Sequence, residues 1–197
     1  MIEVMPAETT QILFLGGAAG VGKTSVSVEV SAVLRRSRVA HALVDGDNLD
    51  ASYPGPLDSG RPWLSLTNLT KLWGTYQAAG QHRLVYVNTV SVLEVEELRS
   101  AVDPQASVTA VLLEAEPDAL TDRLRRRERG SELDEHLSRS ARWAADLRSR
   151  APEWVTRLDT TGASVSAVAE AVVALTGWVQ PQARAAAEGG RDVPRWV

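Results

Sequence analysis

The chain has 197 residues, 44% hydrophobic and 23% charged, the size and balance of one globular domain with a full core. A formal net charge of −4 supplies no basic field to neutralise a phosphate backbone, which argues against nucleic acid as a partner. The absence of cysteine excludes disulfides, thiolate zinc sites and cysteine nucleophiles. The start, MIEVMPAETT, has no cationic segment followed by an apolar run, and no apolar stretch is long enough to span a bilayer. The expectation is a cytoplasmic protein with no membrane partner, monomer or homodimer. Of the 21 basic residues only Lys23 and Lys71 are lysine, so each marks a place where a compact ammonium serves instead of a guanidinium fork.

In chain order, residues 11–16 form a short apolar run ending in glycines, and residues 23–36 read as a helix with an apolar stripe. A second strand, Val39 to Val44, stops at Asp45-Gly46-Asp47-Asn48, turn formers that also carry chemistry. Leu49 to Trp63, with Pro54, Pro56, Pro62, Gly55 and Gly60, reads as a loop. Ser65 to Ala79 is helical and closes on Gly80, and Arg83 to Thr89 is a third strand. Ser91-Val-Leu-Glu94 fits a capping box opening a helix to about Ser100. Ser107 to Glu114 is a fourth strand, and Pro117 opens a helix through Arg127. Arg129 to Asp134 is polar, and Glu135 to Arg150 resumes helical periodicity. A fifth strand, Val155 to Asp159, meets the turn Thr160-Thr161-Gly162, after which Ser164 caps a last helix to Leu175. This alternation predicts an α/β/α sandwich on a parallel sheet over residues 1–178. The tail, 179–197, has no apolar period and reads as mobile or as a short surface helix.

Gly17-Ala-Ala-Gly-Val-Gly22-Lys23-Thr24 matches the Walker A pattern and sits between an apolar strand and a helix. Glycines let the backbone curl so that successive N–H groups point at phosphate oxygens, and the helix start adds partial positive charge. In such a loop Lys23 can reach the β and γ phosphates, and the Thr24 hydroxyl can ligate magnesium. Asp45 and Asp47 leave the end of the second strand beside this loop. Each carboxylate is suited either to accept an acceptor hydroxyl's proton or to hold magnesium. Arg123 and Arg127, four apart, share a helix face.

With Asp45-Gly46-Asp47-Asn48, Leu120-Thr-Asp-Arg123-Leu-Arg-Arg-Arg127 and Leu158-Asp159-Thr160-Thr161-Gly162 following in order, the chain resembles the P-loop small-molecule kinases over about Gln11 to Trp178. That group holds adenylylsulfate, gluconate and shikimate kinases, chloramphenicol phosphotransferase and nucleoside monophosphate kinases. The resemblance implies a sheet of order 2-3-1-4-5 and a small helical lid at about 127–138. It implies ATP and Mg2+ as cofactors and a small-molecule acceptor. The nucleotide would be held by Gly17, Ala19, Gly20, Val21, Gly22, Lys23, Thr24 and Ser25, with Arg123, Arg127, Thr161 and Gly162 completing its site. Lys23, Asp45, Asp47 and Arg127 are the implied catalytic groups, and Thr24 and Asp45 the metal ligands. Acceptor contacts are expected from Asp45, Asp47, Asn48, Tyr53, Trp63, Asn68 and Trp73, the two tryptophans either stacking a planar substrate or packing core and lid.

Two departures stand out. The third strand ends Val87-Asn88-Thr89 and lacks a terminal Walker B Asp, which suits a small-molecule kinase better than a motor or switch ATPase. Asp50-Ala-Ser-Tyr-Pro-Gly-Pro replaces the Arg-, Asn- and Phe-bearing stretch of adenylylsulfate kinases. The expected activity is therefore ATP-dependent phosphoryl transfer to a small hydroxylated molecule or nucleotide. The alternatives are an ATP-binding regulatory protein and a nucleoside monophosphate kinase.

Overall fold

A computed structural model describes residues 9–127 and 133–179, with the side chains of Arg127 and Leu133 outside the described set. Its elements are β1 (Gln11–Gly16), α1 (Lys23–Arg36), β2 (Ala42–Asp45), a 3-10 turn (Gly46–Asn48), α2 (Leu64–Ala78) and β3 (Arg83–Val87). They continue with α3 (Val95–Val102), β4 (Ser107–Glu114), α4 (Pro117–Arg127), α5 (Leu133–Arg150), β5 (Thr156–Asp159) and α6 (Val165–Thr176). The five strands form one parallel sheet in the order β2-β3-β1-β4-β5, the expected topology.

Alternate residues of the central strands feed two cores, which is why these strands read as continuous apolar runs. Ile12, Phe14, Leu84, Tyr86 and Leu112 point to one face, where they meet Leu69 and Trp73 of α2 and Leu98 of α3. Leu13, Leu15, Val85, Val87 and Val111 point to the other, against Val26, Val30 and Leu34 of α1 and Val168 and Val172 of α6. At α6 the Ser164 hydroxyl accepts the Ala167 N–H, the predicted cap, and Gly177 ends the helix at φ 65°.

Two local expectations change. β2 begins at Ala42, because α1 closes through Arg38 at φ 57° and the Val39 N–H returns to Leu34 O at 2.9 Å; the strand-forming residue is used to terminate a helix. The capping box at Ser91 does not form. Ser91 is buried and its hydroxyl donates to Asn88 O at 3.3 Å, so α3 starts only at Val95, with Glu94 as an N-cap that makes no side-chain cap bond.

Candidate active site

The loop after β1 enters through Gly17 at φ 147°, whose N–H donates to Thr89 O at 3.1 Å. A side chain is excluded there twice over: L-residues avoid that φ, and a Cβ would lie 2.6 Å from the backbone oxygen of Leu113. The loop then curls into Gly22, the N-cap of α1 at φ 101°, aiming the first amides of the helix into a cleft of about 490 Å3. Ala19, Gly20, Val21, Gly22, Lys23, Thr24 and Ser25 all line that cleft, together with Asp47 and Arg123. The Lys23 ammonium lies over the loop and donates to Ala18 O at 3.3 Å.

Two side chains brace the loop from outside, Ser140, to which the sequence reading assigned no role, and Thr160, which it placed only in the turn after β5. Ser140, buried on α5, donates to Ala19 O at 2.7 Å. Thr160, buried after β5, donates to Val21 O at 3.1 Å. The Arg123 guanidinium joins both ends of this bracket, donating to Val21 O at 3.2 Å, Thr160 Oγ1 at 2.9 Å and Thr160 O at 2.7 Å. Thr160, Ala163, Val165 and Val168 form the cleft's apolar end. Thr161 and Gly162 do not line it: Thr161 Oγ1 instead accepts the Glu116 N–H at 2.9 Å, and Gly162 supplies the turn at φ 68°. Arg127 closes α4, but its side chain and residues 128–132 of the expected lid lie outside the described residues, as do the tail residues beyond 179.

The two aspartates separate in role. Asp45 is the N-cap of the 3-10 turn, its Oδ1 accepting the Asp47 N–H at 3.1 Å. Asp47 faces this cleft, and its Oδ1 accepts from Asn88 Nδ2 at 2.8 Å. Burial, then the neighbouring Asp45, raise the Asp47 carboxyl above the usual aspartate value, against an opposing pull from Lys23 and a further push from Asp50. Asn88 occupies the position where a Walker B acid was missing; its Oδ1 also accepts the Val90 N–H at 2.9 Å, so a neutral amide holds the aspartate.

The acceptor contacts expected beyond the turn are dispersed. Asn68 Nδ2 donates to Leu49 O at 2.6 Å, tying α2 to the chain leaving the turn. Asn48 is exposed, and Tyr53 and Trp63 stand in solvent at 100% and 54% exposure. Trp73 is 2% exposed within the α2 core; it cannot stack on a ligand, and the packing alternative applies. A second cavity, of about 440 Å3, instead opens beside Gly46 and Asp50 between the 50–63 loop, β3 and α3, with Tyr86, Asn88, Glu94 and Glu97 in its wall. Sequence spacing gave Glu94 to a helix cap, which concealed this wall.

No family model and no curated protein matches the chain. Solved structures do. The tunicamycin resistance protein of Deinococcus radiodurans is similar at 21% identity and TM-score 0.60, over 85% of this chain and 96% of that one. A gluconokinase from Sinorhizobium meliloti is similar at 16% identity and TM-score 0.56, over 88% and 94%. The APS kinase of Mycobacterium tuberculosis, solved with AMPPNP and APS, is similar at 21% identity and TM-score 0.51, over 85% and 97%. The chain has the fold of the P-loop small-molecule kinases.

Proposed function

We infer that the protein is an ATP- and magnesium-dependent phosphotransferase that moves the γ-phosphoryl group onto a hydroxyl of a small molecule. The observation that carries this reading is the joint placement of Lys23, Thr24 and Asp47 in one cleft with the loop residues 19–22, with a separate cavity beside Gly46 and Asp50, on either side of Asp47 in the chain. Phosphoryl transfer needs positioning and charge more than covalent chemistry, and this arrangement supplies both.

In the proposed complex the triphosphate lies on the amides of residues 17–24, and the base rests on Ala163, Val165 and Val168 beside Arg123. The Thr24 hydroxyl, which lines the cleft, is a hard oxygen donor of the kind magnesium takes, so it fits the ion; it would hold the ion together with phosphate oxygens, leaving Asp47 as the base. When bound, magnesium neutralises phosphate oxygens. Lys23 stabilises charge on the transferring group. The acceptor oxygen bonds to the γ-phosphorus, the bond from that phosphorus to the β–γ bridging oxygen breaks with its electron pair leaving on ADP, and the acceptor's proton passes to Asp47. Asp45 acts through Asp47, holding the turn that presents it.

Lys23→Ala tests the reading. ADP release should fall to background while the circular dichroism spectrum is retained, and a turnover equal to wild type would overturn the mechanism.

A further inference from the structure

The second cavity shares the 3-10 turn with the nucleotide cleft: Gly46 and Asp50 line the cavity, and Asp47 between them lines the cleft. A molecule in this cavity would therefore stand next to the carboxylate that receives the proton, the position an acceptor requires.

Its chemistry is one-sided. Asp50, Glu94 and Glu97 contribute three carboxylates, and no lysine or arginine lines it. The adjacent basic residues do not compensate: among the described residues Arg61 makes no ion pair with these carboxylates, and Arg99 is bound to Glu96 at 2.6 Å. None of the three carboxylates makes a hydrogen bond or ion pair among the described residues. Burial, then the Glu97 charge, push the Glu94 carboxyl upward, the signature of negative charges without a counterion. A second feature points into the same space. Tyr86 is only 3% exposed, lines the cavity, and its hydroxyl has no hydrogen-bond partner among the described residues. Burial and the surrounding carboxylates keep that phenol protonated, so it remains a donor. Because Tyr86 lines the cavity, that donor is offered to a molecule bound there.

A divalent ion does not answer this demand, because among the described residues no group of three or more His, Cys, Asp or Glu is arranged to hold one. The remaining complement is a larger, organic cation. Leu57 and Leu66 add apolar wall for its carbon frame. An acceptor bearing phosphate, sulfate or carboxylate would face like charges across the whole polar side.

We propose that the acceptor is a hydroxylated organic amine, its ammonium set against Asp50, Glu94 and Glu97, its polar oxygens meeting Tyr86, and its reacting hydroxyl turned toward Asp47. The inference rests on the phosphotransferase reading above and adds the charge class of the substrate.

The experiment measures ADP release by the full chain, with ATP and magnesium chloride, against three panels of hydroxylated probes. These are amines (amino sugars, aminoglycosides, amino alcohols), their uncharged counterparts, and acids (aldonic acids, nucleoside monophosphates). An amine should stimulate turnover at least about tenfold more than its uncharged counterpart, a difference the size of one partly desolvated charge contact. For that amine, Glu94→Gln with Glu97→Gln should raise KM by about tenfold or more while kcat changes less, and Tyr86→Phe should raise KM in the same direction. Retained melting temperatures exclude misfolding. A best acceptor that is uncharged or acidic, or an unmoved KM in the double variant, overturns the charge assignment and leaves the phosphotransferase standing. Stimulation by no probe while MgATP binds overturns both, and failure to bind MgATP removes the nucleotide site itself.

Discussion

Asp47 is the side chain whose surroundings say most about the chemistry. Its carboxyl titrates above the usual aspartate value of 3.8 because it is partly buried beside Asp45, and a general base improves as its pKa approaches the working pH. The expected kcat profile therefore falls as pH drops through that raised value. Asp47→Asn should lower kcat by about 10²–10⁴-fold and abolish that acid limb, while calorimetry finds ATP affinity nearly unchanged. Linkage runs the other way for stability. A carboxyl with a raised folded-state pKa binds its proton more tightly when folded, so its ionised form lowers stability at neutral pH. The same variant should thus melt at or above the wild-type temperature at pH 7, and lose that advantage as pH falls. A second prediction concerns Gly46, where a Cβ would come within 2.6 Å of Tyr86 Cζ. Gly46→Ala should cost about 1–3 kcal/mol in urea unfolding and distort both cavities at once. The Walker A residues were legible from order and spacing alone, since the backbone curl they require is encoded in the glycines themselves. Asn88 was not. An amide at the end of β3 has meaning only once Asp47, 41 residues earlier, is brought to 2.8 Å from it.

Among the elements, α4, α5 and the turn after β5 act on the nucleotide loop through single hydrogen bonds to its carbonyls. Ser140→Ala leaves Ala19 O without its donor at 2.7 Å, and a lost bond of this kind costs about 1 kcal/mol. The expected outcome is a melting temperature lower by about 2–4 °C, with KM for ATP raised and kcat little changed. Equality with wild type in both would show that α5 does not brace the loop. Strands and helices were readable because their apolar periods are local. The start of β2 and the cap of α3 were not, since Val39 and Ser91 are each claimed by a backbone oxygen, that of Leu34 or of Asn88. The tryptophans divide on the same ground: Trp63 and Trp73 look alike in the chain, and only the packing of α2 on the sheet puts one in solvent and the other in the core.

At the scale of the whole molecule, the two cavities open at the carboxyl ends of β1, β2 and β3, the crevice where a doubly wound sheet takes ligands, and in the proposed complex both ligands would meet there. Nucleotide binding should therefore be coupled to global stability. A nonhydrolysable ATP analogue with magnesium at about 100 times its Kd should add about 2.7 kcal/mol, read as a melting temperature higher by roughly 5–10 °C. No shift at saturating concentration would contradict the site. The strand order has one more consequence. β2 is the outermost strand on its side, and the chain leaving it, residues 46–63, crosses no other strand before α2. In the proposed complex the phosphoryl recipient would thus be met partly by a segment at the periphery of the sheet and partly by β3 and the start of α3, while the triphosphate grip would be rooted in the sheet's centre. If the proposed reading holds, exchanging residues 50–63 together with Glu94 and Glu97 would alter what is modified without rebuilding the energy source.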